Sequence, residues 1–183
     1  FALRHAVAHG MKHIIYVIPY TSIIEQNAAV FKEILGEDNV LEHHSGKLYE
    51  MEDASSPAQY RLAMATENWD MPVIVTTAVQ FFESFYSNRS SKCRKLHSLA
   101  NSVIIFDEAQ MLPTCHLHPC VGTIAELVRH FGATAVLCTA TQPVLGDIFK
   151  RFGWSENIPE LCPGTQALYE KFRRVSFRNA GGL

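Results

Sequence analysis

Two adjacent carboxylates, Asp107 and Glu108, follow directly on four apolar residues, Val103-Ile-Ile-Phe106. At the C-terminal end of a parallel strand, where open α/β sheets bind ligands, the first carboxylate can hold Mg²⁺ on a nucleoside triphosphate through the ion's waters. The second can orient or deprotonate an attacking water. On that reading Asp107 is the metal residue and Glu108 the base; the plain alternative is a pair that caps the loop after a strand. Thr139, Ala140 and Thr141 follow the next apolar run, 134–138. Hydroxyls on the same sheet edge can hydrogen-bond the acidic pair and report the state of a phosphate, and the two motifs in this order weaken the plain alternative.

Such residues need elements to position them. Short β-branched runs at 13–18, 40–43, 73–76, 103–106 and 134–138 alternate with stretches of helical period at 23–35, 60–69, 78–86 and 121–131, and a final helix is expected over 166–174. Strands that are apolar on both faces belong to a parallel sheet covered by helices on both sides. The expected fold class is therefore α/β, three layers around a mostly parallel sheet. Residues 1–9 read as the later turns of a helix closed by Gly10, as if the chain started inside an element. Thr21 or Ser22 is the expected N-cap of the next helix, and Thr77 that of the helix from Ala78. Residues 1–150 are expected to form one lobe and 151–183 an extension of it.

With 183 residues, 48% hydrophobic and 19% charged, the composition excludes collagen, coiled coil and wholesale disorder. The net charge of -2 is unevenly spread: residues 1–88 hold 5 Lys/Arg against 11 Asp/Glu, and residues 89–183 hold 11 against 7. A basic surface is thus a local matter. Five irregularly spaced cysteines favour reduced thiols and a cytoplasmic setting. The longest apolar runs are strand-length, far short of the roughly 20 residues that cross a bilayer, so no membrane association is expected.

Asp107-Glu-Ala-Gln110 resembles motif II (Walker B) of superfamily 2 DExH/DEAD-type helicases, and Thr139-Ala-Thr141 resembles motif III. Pro19-Tyr20-Thr21-Ser22, continuing to Gln26, resembles motif Ia; Val75-Thr76-Thr77 with Gln80-Phe-Phe-Glu83 resembles motif Ib. The wording is closest to the CRISPR-associated helicase/nuclease of type I interference. The resemblance implies a RecA-like lobe using ATP and Mg²⁺, with Gln110, Thr139, Ala140 and Thr141 coupling the phosphate site to a second lobe. It also implies that Pro19, Tyr20, Thr21, Ser22, Thr76 and Thr77 bind the phosphates of single-stranded DNA. The implied partners are that DNA, an RNA-guided surveillance complex, a second RecA-like lobe and an HD nuclease domain.

The sequence also departs from the family. No G-x-x-x-x-G-K-[ST] phosphate loop occurs in it; Gly46-Lys47 is followed by Leu48, with Leu41 where the first Gly belongs. The expectation is a piece of a longer chain that hydrolyses ATP poorly or not at all by itself. An RNA helicase of the same superfamily and a non-catalytic binding module stay open as alternatives.

Three further clusters carry an ordinary reading beside a functional one. Cys115, His116, His118 and Cys120 are zinc-type ligands, but four alternating residues in a tight, Pro119-stiffened loop rarely wrap one tetrahedral ion. The His43-His44 pair reads as a simple loop. The basic run of Arg89, Lys92, Arg94 and Lys95 is a solvated loop or a DNA contact, and 171–178 is a connection toward the second lobe.

Overall fold

A computed structural model describes residues 1–46, 56–139, 145–154, 158–162 and 164–174. The opening helix α1 (Ala2–His9) is closed by Gly10, whose positive φ of 63° lets its N–H turn back onto the Ala6 and Val7 carbonyls. Strand β1 (His13–Ile18), helix α2 (Thr21–Leu35) and strand β2 (Val40–His43) follow. Helix α3 (Pro57–Asn68) leads into β3 (Val73–Thr77), and α4 (Ala78–Tyr86) and two short helices, α5 (Ser90–Cys93) and α6 (Leu96–Leu99), into β4 (Ser102–Phe106). Then come α7 (Leu117–His130), β5 (Thr134–Leu137), α8 (Gly146–Arg151) and α9 (Thr165–Lys171).

The five strands pair in parallel in the order β2-β3-β1-β4-β5. Alternation along each strand divides the apolar side chains between two layers. Ile14 and Ile18 of β1, Val73 and Val75 of β3 and Val103 of β4 pack on one face with Ala6 of α1 and with Ile24 and Ala28 of α2. Ile15, Val17, Ile74, Ile104 and Phe106 face the other way, onto Phe81 and Phe82 of α4 and Val121 and Ile124 of α7. This is the α/β three-layer arrangement of a RecA-like lobe.

From β1 the chain crosses towards one edge, to β2, and from β4 towards the other, to β5. The C-terminal ends of β1 and β4 therefore lie side by side at a topological switch point, the place where such sheets open a crevice. Asp107 and Glu108 emerge there.

Several boundaries differ from the sequence-based expectation. α3 begins three residues before 60, because Ser56 and Gln59 form a reciprocal capping box: the Gln59 amide donates to Ser56 Oγ at 3.3 Å and the Ser56 amide to Gln59 Oε1 at 3.2 Å. α7 begins at Leu117 rather than 121, since Pro119 falls in its first turn, where the missing N–H has no intrahelical partner to lose. The polar stretch after Tyr86 holds the short helix α5. Tyr20, not Thr21 or Ser22, is the N-cap of α2, without a side-chain cap bond.

Candidate active site

The backbone of β4 stays laddered to β1 one residue past the strand, the Asp107 amide donating to the Val17 carbonyl at 2.9 Å. Both carboxylate oxygens of Asp107 accept a bond: Oδ1 from the Glu108 amide at 3.0 Å, Oδ2 from the Tyr16 hydroxyl at 2.9 Å. Burial and the neighbouring Asp107 push the Tyr16 phenol well above its ordinary range, so it stays a neutral donor. Glu108 sits at φ 48°, ψ 51°, in the left-handed region. For a residue with a Cβ that conformation costs on the order of 1–3 kcal/mol and is concentrated at functional sites.

The strained residue is held from the next strand. The Cys138 amide donates to the Phe106 carbonyl at 2.8 Å, and the Ala109 amide donates to the Cys138 carbonyl at 2.8 Å. Gln110, in the 3-10 turn Ala109–Met111, donates through Nε2 to Glu108 Oε2 and accepts through Oε1 from the Thr139 hydroxyl at 2.5 Å. A hydroxyl–amide–carboxylate chain thus runs from the end of β5 to Glu108. The Cys138 thiol is pushed up by burial and by the Asp107 charge. Ala140 and Thr141 lie outside the described residues.

At the end of β1, Pro19 is half-buried and Tyr20, Thr21 and Ser22 are exposed. Because neither hydroxyl caps α2, both remain available beside the Thr21 and Ser22 amides; the Ile23 amide turns back onto the Tyr20 carbonyl at 3.4 Å. The threonines after β3 are engaged differently: Thr76 is fully buried and donates to the His43 carbonyl at 2.9 Å, and Thr77 is 6% exposed and accepts from the Gln80 amide at 3.1 Å, capping α4. An open groove of about 640 Å³ runs from Pro19 and Met111 along α4 past Val79, Phe82 and Tyr86 to Pro119.

The other clusters resolve into structure. His43 closes β2, as expected of a strand over 40–43, but the pair is not a simple loop, since His43 and His44 are both buried. Trp69 Nε1 donates to His43 Nδ1 at 3.1 Å, and burial, reinforced by the Lys95 charge, lowers the imidazole from 6.5 to about 3. His44 Nδ1 accepts from the Gly46 amide at 3.1 Å, so its neutral ring carries the proton on Nε2, which donates to Glu42 Oε1 at 3.0 Å. Glu25 lies within reach of Glu42 and His44, and Glu42 is bonded to His44 Nε2 and paired with the Lys32 ammonium at 3.6 Å. Cys115, His116, His118 and Cys120 do not converge: among the described residues no three of them form a metal-sized cluster. The basic run is largely neutralised, Lys92 pairing with Glu83 and Arg94 with Glu67, while Lys95 is buried with its ammonium 5.4 Å from the Trp69 ring centroid. Of 171–178, only the first four residues are described.

Sequence reasoning missed Tyr16. Its signal is a polar-tipped residue inside an apolar strand, but only the register of β1 on β4, which pairs Tyr16 with Ile105 two residues before Asp107, shows what it reaches.

The chain is 32% identical, in an alignment that covers 72% of its length, to the CRISPR-associated nuclease/helicase Cas3 of Haloferax volcanii. It spans 16% of that relative's length. Among the described residues no helix is long and apolar enough to cross a membrane. Residues 1–148 match the DEAD/DEAH box helicase family, and with the acidic pair and its Gln110–Thr139 tie at the switch point of a parallel sheet, the chain belongs to that family.

Proposed function

We propose that this lobe is one half of an ATP-driven motor that translocates on single-stranded DNA in CRISPR type I interference. The observation that carries the reading is the hydrogen-bonded chain from Thr139 through Gln110 to Glu108, beside Asp107 at the switch point. Carboxylate oxygens suit Mg²⁺, a hard cation that keeps several of its waters. Magnesium, when bound, neutralises charge on the transferred phosphoryl group. Asp107 would hold the ion through its waters, and Glu108 would take the proton of the attacking water. The principal cradle for the triphosphate is not in these 183 residues, so they alone turn ATP over poorly or not at all.

Coupling follows from the shared side chain. Gln110 cannot move away from Glu108 without pulling on Thr139, so a change at the phosphate site is passed to the loop after β5. Thr21 and Ser22, with their own amides, offer phosphate oxygens donors that read no bases. Thr77 accepts in its helix cap, which leaves the hydroxyl proton to donate to a further phosphate oxygen. The HD nuclease, the second lobe and an RNA-guided surveillance complex belong to the same proposal, supported by the likeness to the Haloferax volcanii relative.

The test is ATP hydrolysis by a two-lobe motor containing this lobe, with single-stranded DNA, single-stranded RNA or neither. Stimulation by DNA, weakened by Thr21→Val with Ser22→Ala, is the expected result. Stimulation by RNA alone would favour the RNA-helicase reading, because the 2′-hydroxyl distinguishes the two backbones. Binding without turnover in the complete motor would make the lobe an assembly module.

A further inference from the structure

We infer that Tyr16 is a positioning residue for Asp107, fixing the carboxylate that would hold the magnesium ion; the inference rests on the reading of Asp107 just proposed. Tyr16 points from β1 to the face that packs against α2, and its ring meets Phe31 of α2 edge-on, with centroids 5.4 Å apart and planes at 80°. Its partner in the β4 register is Ile105, and Asp107 lies two residues further on the same face. Strand periodicity alone therefore brings the phenol to the carboxylate, where the bond measures 2.9 Å.

A carboxylate has about four acceptor positions on its two oxygens. In Asp107 one on each oxygen is taken by a donor belonging to the lobe itself: the Glu108 amide on Oδ1 and the Tyr16 hydroxyl on Oδ2. Those two bonds stop rotation of the carboxylate and leave its remaining positions to the ion's waters. Without the phenol only one bond, from a strained neighbouring residue, sets that orientation. The choice of donor matters as well. An ammonium or guanidinium in the same place would orient Asp107 equally well but would repel a divalent cation, whereas a neutral phenol orients it without adding charge. Tyr16 touches no reacting atom in this account and acts only through Asp107.

The consequence is a split between metal affinity and maximal rate. In an intact helicase containing this lobe, Tyr16→Phe removes one hydroxyl and keeps the ring on Phe31. Binding of Mn²⁺, a spectroscopic stand-in for Mg²⁺, in the presence of a non-hydrolysable ATP analogue is followed by electron paramagnetic resonance. The expected result is weakening by about tenfold, the range seen when a partner of a metal-holding group is lost. The Mg²⁺ concentration for half-maximal hydrolysis rises in parallel, and the rate at saturating Mg²⁺ stays near that of the parent. Phe31→Leu, which loosens the ring and keeps the hydroxyl, lowers thermal stability and leaves Mn²⁺ binding near the parent value. Unchanged Mn²⁺ binding in Tyr16→Phe, or equal weakening in Phe31→Leu, would overturn the inference. Asp107→Asn separates this from failure of the underlying reading: if that variant binds Mn²⁺ as the parent does, Asp107 is not the metal residue and the site assignment itself falls.

Discussion

The two halves of the sheet's C-terminal edge use similar residues to opposite ends. On the β4–β5 side, Asp107, Glu108, Gln110 and Thr139 are half-buried, bonded to one another and still open to the crevice. On the β2–β3 side, His43, Trp69, Thr76 and Lys95 are buried and their hydrogen-bonding groups are turned inward. The contrast teaches that polar residues at the ends of parallel strands are not by themselves a site. What separates the two is spare capacity: one cluster retains unused acceptor positions facing outward, and the other spends its polar atoms on holding β2 to β3 and α3. Backbone strain does not separate them: Glu108 on the open side and Trp69 on the buried side both adopt a positive φ.

The comparison is broken most sharply at Trp69, which is fully buried between His43 and Phe81. Trp69→Ala is expected to cost about 3–5 kcal/mol in a denaturant titration, the usual range for a large aromatic removed from a core. A loss below about 1 kcal/mol would mean that the β2–β3 side is not a packed structural cluster.

A smaller effect is expected from acid. His43 is held down to about 3 in the folded chain against an ordinary 6.5. As pH falls below 6.5 the unfolded chain binds a proton that the folded chain refuses, so stability declines from there towards pH 3. His43→Gln should flatten that part of the pH dependence, followed by thermal unfolding between pH 7 and pH 4. An unchanged slope would place the acid sensitivity elsewhere.

The threonines sharpen the contrast further. Thr76→Val keeps the shape and removes the bond to the His43 carbonyl, with an expected loss of about 1 kcal/mol and no change in nucleic-acid binding. Thr21→Val is expected to do the reverse, weakening binding of single-stranded DNA while stability stays within about 0.5 kcal/mol of the parent. Fluorescence anisotropy and denaturant titration of both variants decide it; a reversed pattern would dissolve the distinction. At the bottom of the scale, Arg94→Ala breaks a partly exposed pair with Glu67, 2.7 Å apart, and should cost no more than about 0.5 kcal/mol.

Legibility in the sequence followed the range of the forces involved. The strands were readable because apolar β-branched runs bounded by turns are local signals, and the Asp107-Glu108 pair because it sits at the end of one such run. Gly10, closing its helix at positive φ, was readable for the same reason. Side-chain direction was not. The inward turn of Thr76 depends on β2 lying beside β3, and the reach of Tyr16 to Asp107 on β1 lying beside β4 across 91 residues of chain. The burial of the basic residue Lys95 likewise depends on Trp69, brought to it by the fold. The early start of α3 is a different case: Ser56 and Gln59 carry a local capping signal that hydrophobic period alone passes over.

The central claim is that the open half of the edge is the hydrolytic one. Its most direct test is Glu108→Gln in a two-lobe motor containing this lobe, measuring ATP turnover and nucleotide affinity together. Turnover should fall by about 10²–10⁴-fold, the usual contribution of a general base, with nucleotide affinity kept. Turnover that survives the substitution would contradict the assignment of Glu108, and with it the account of this edge as the site of hydrolysis.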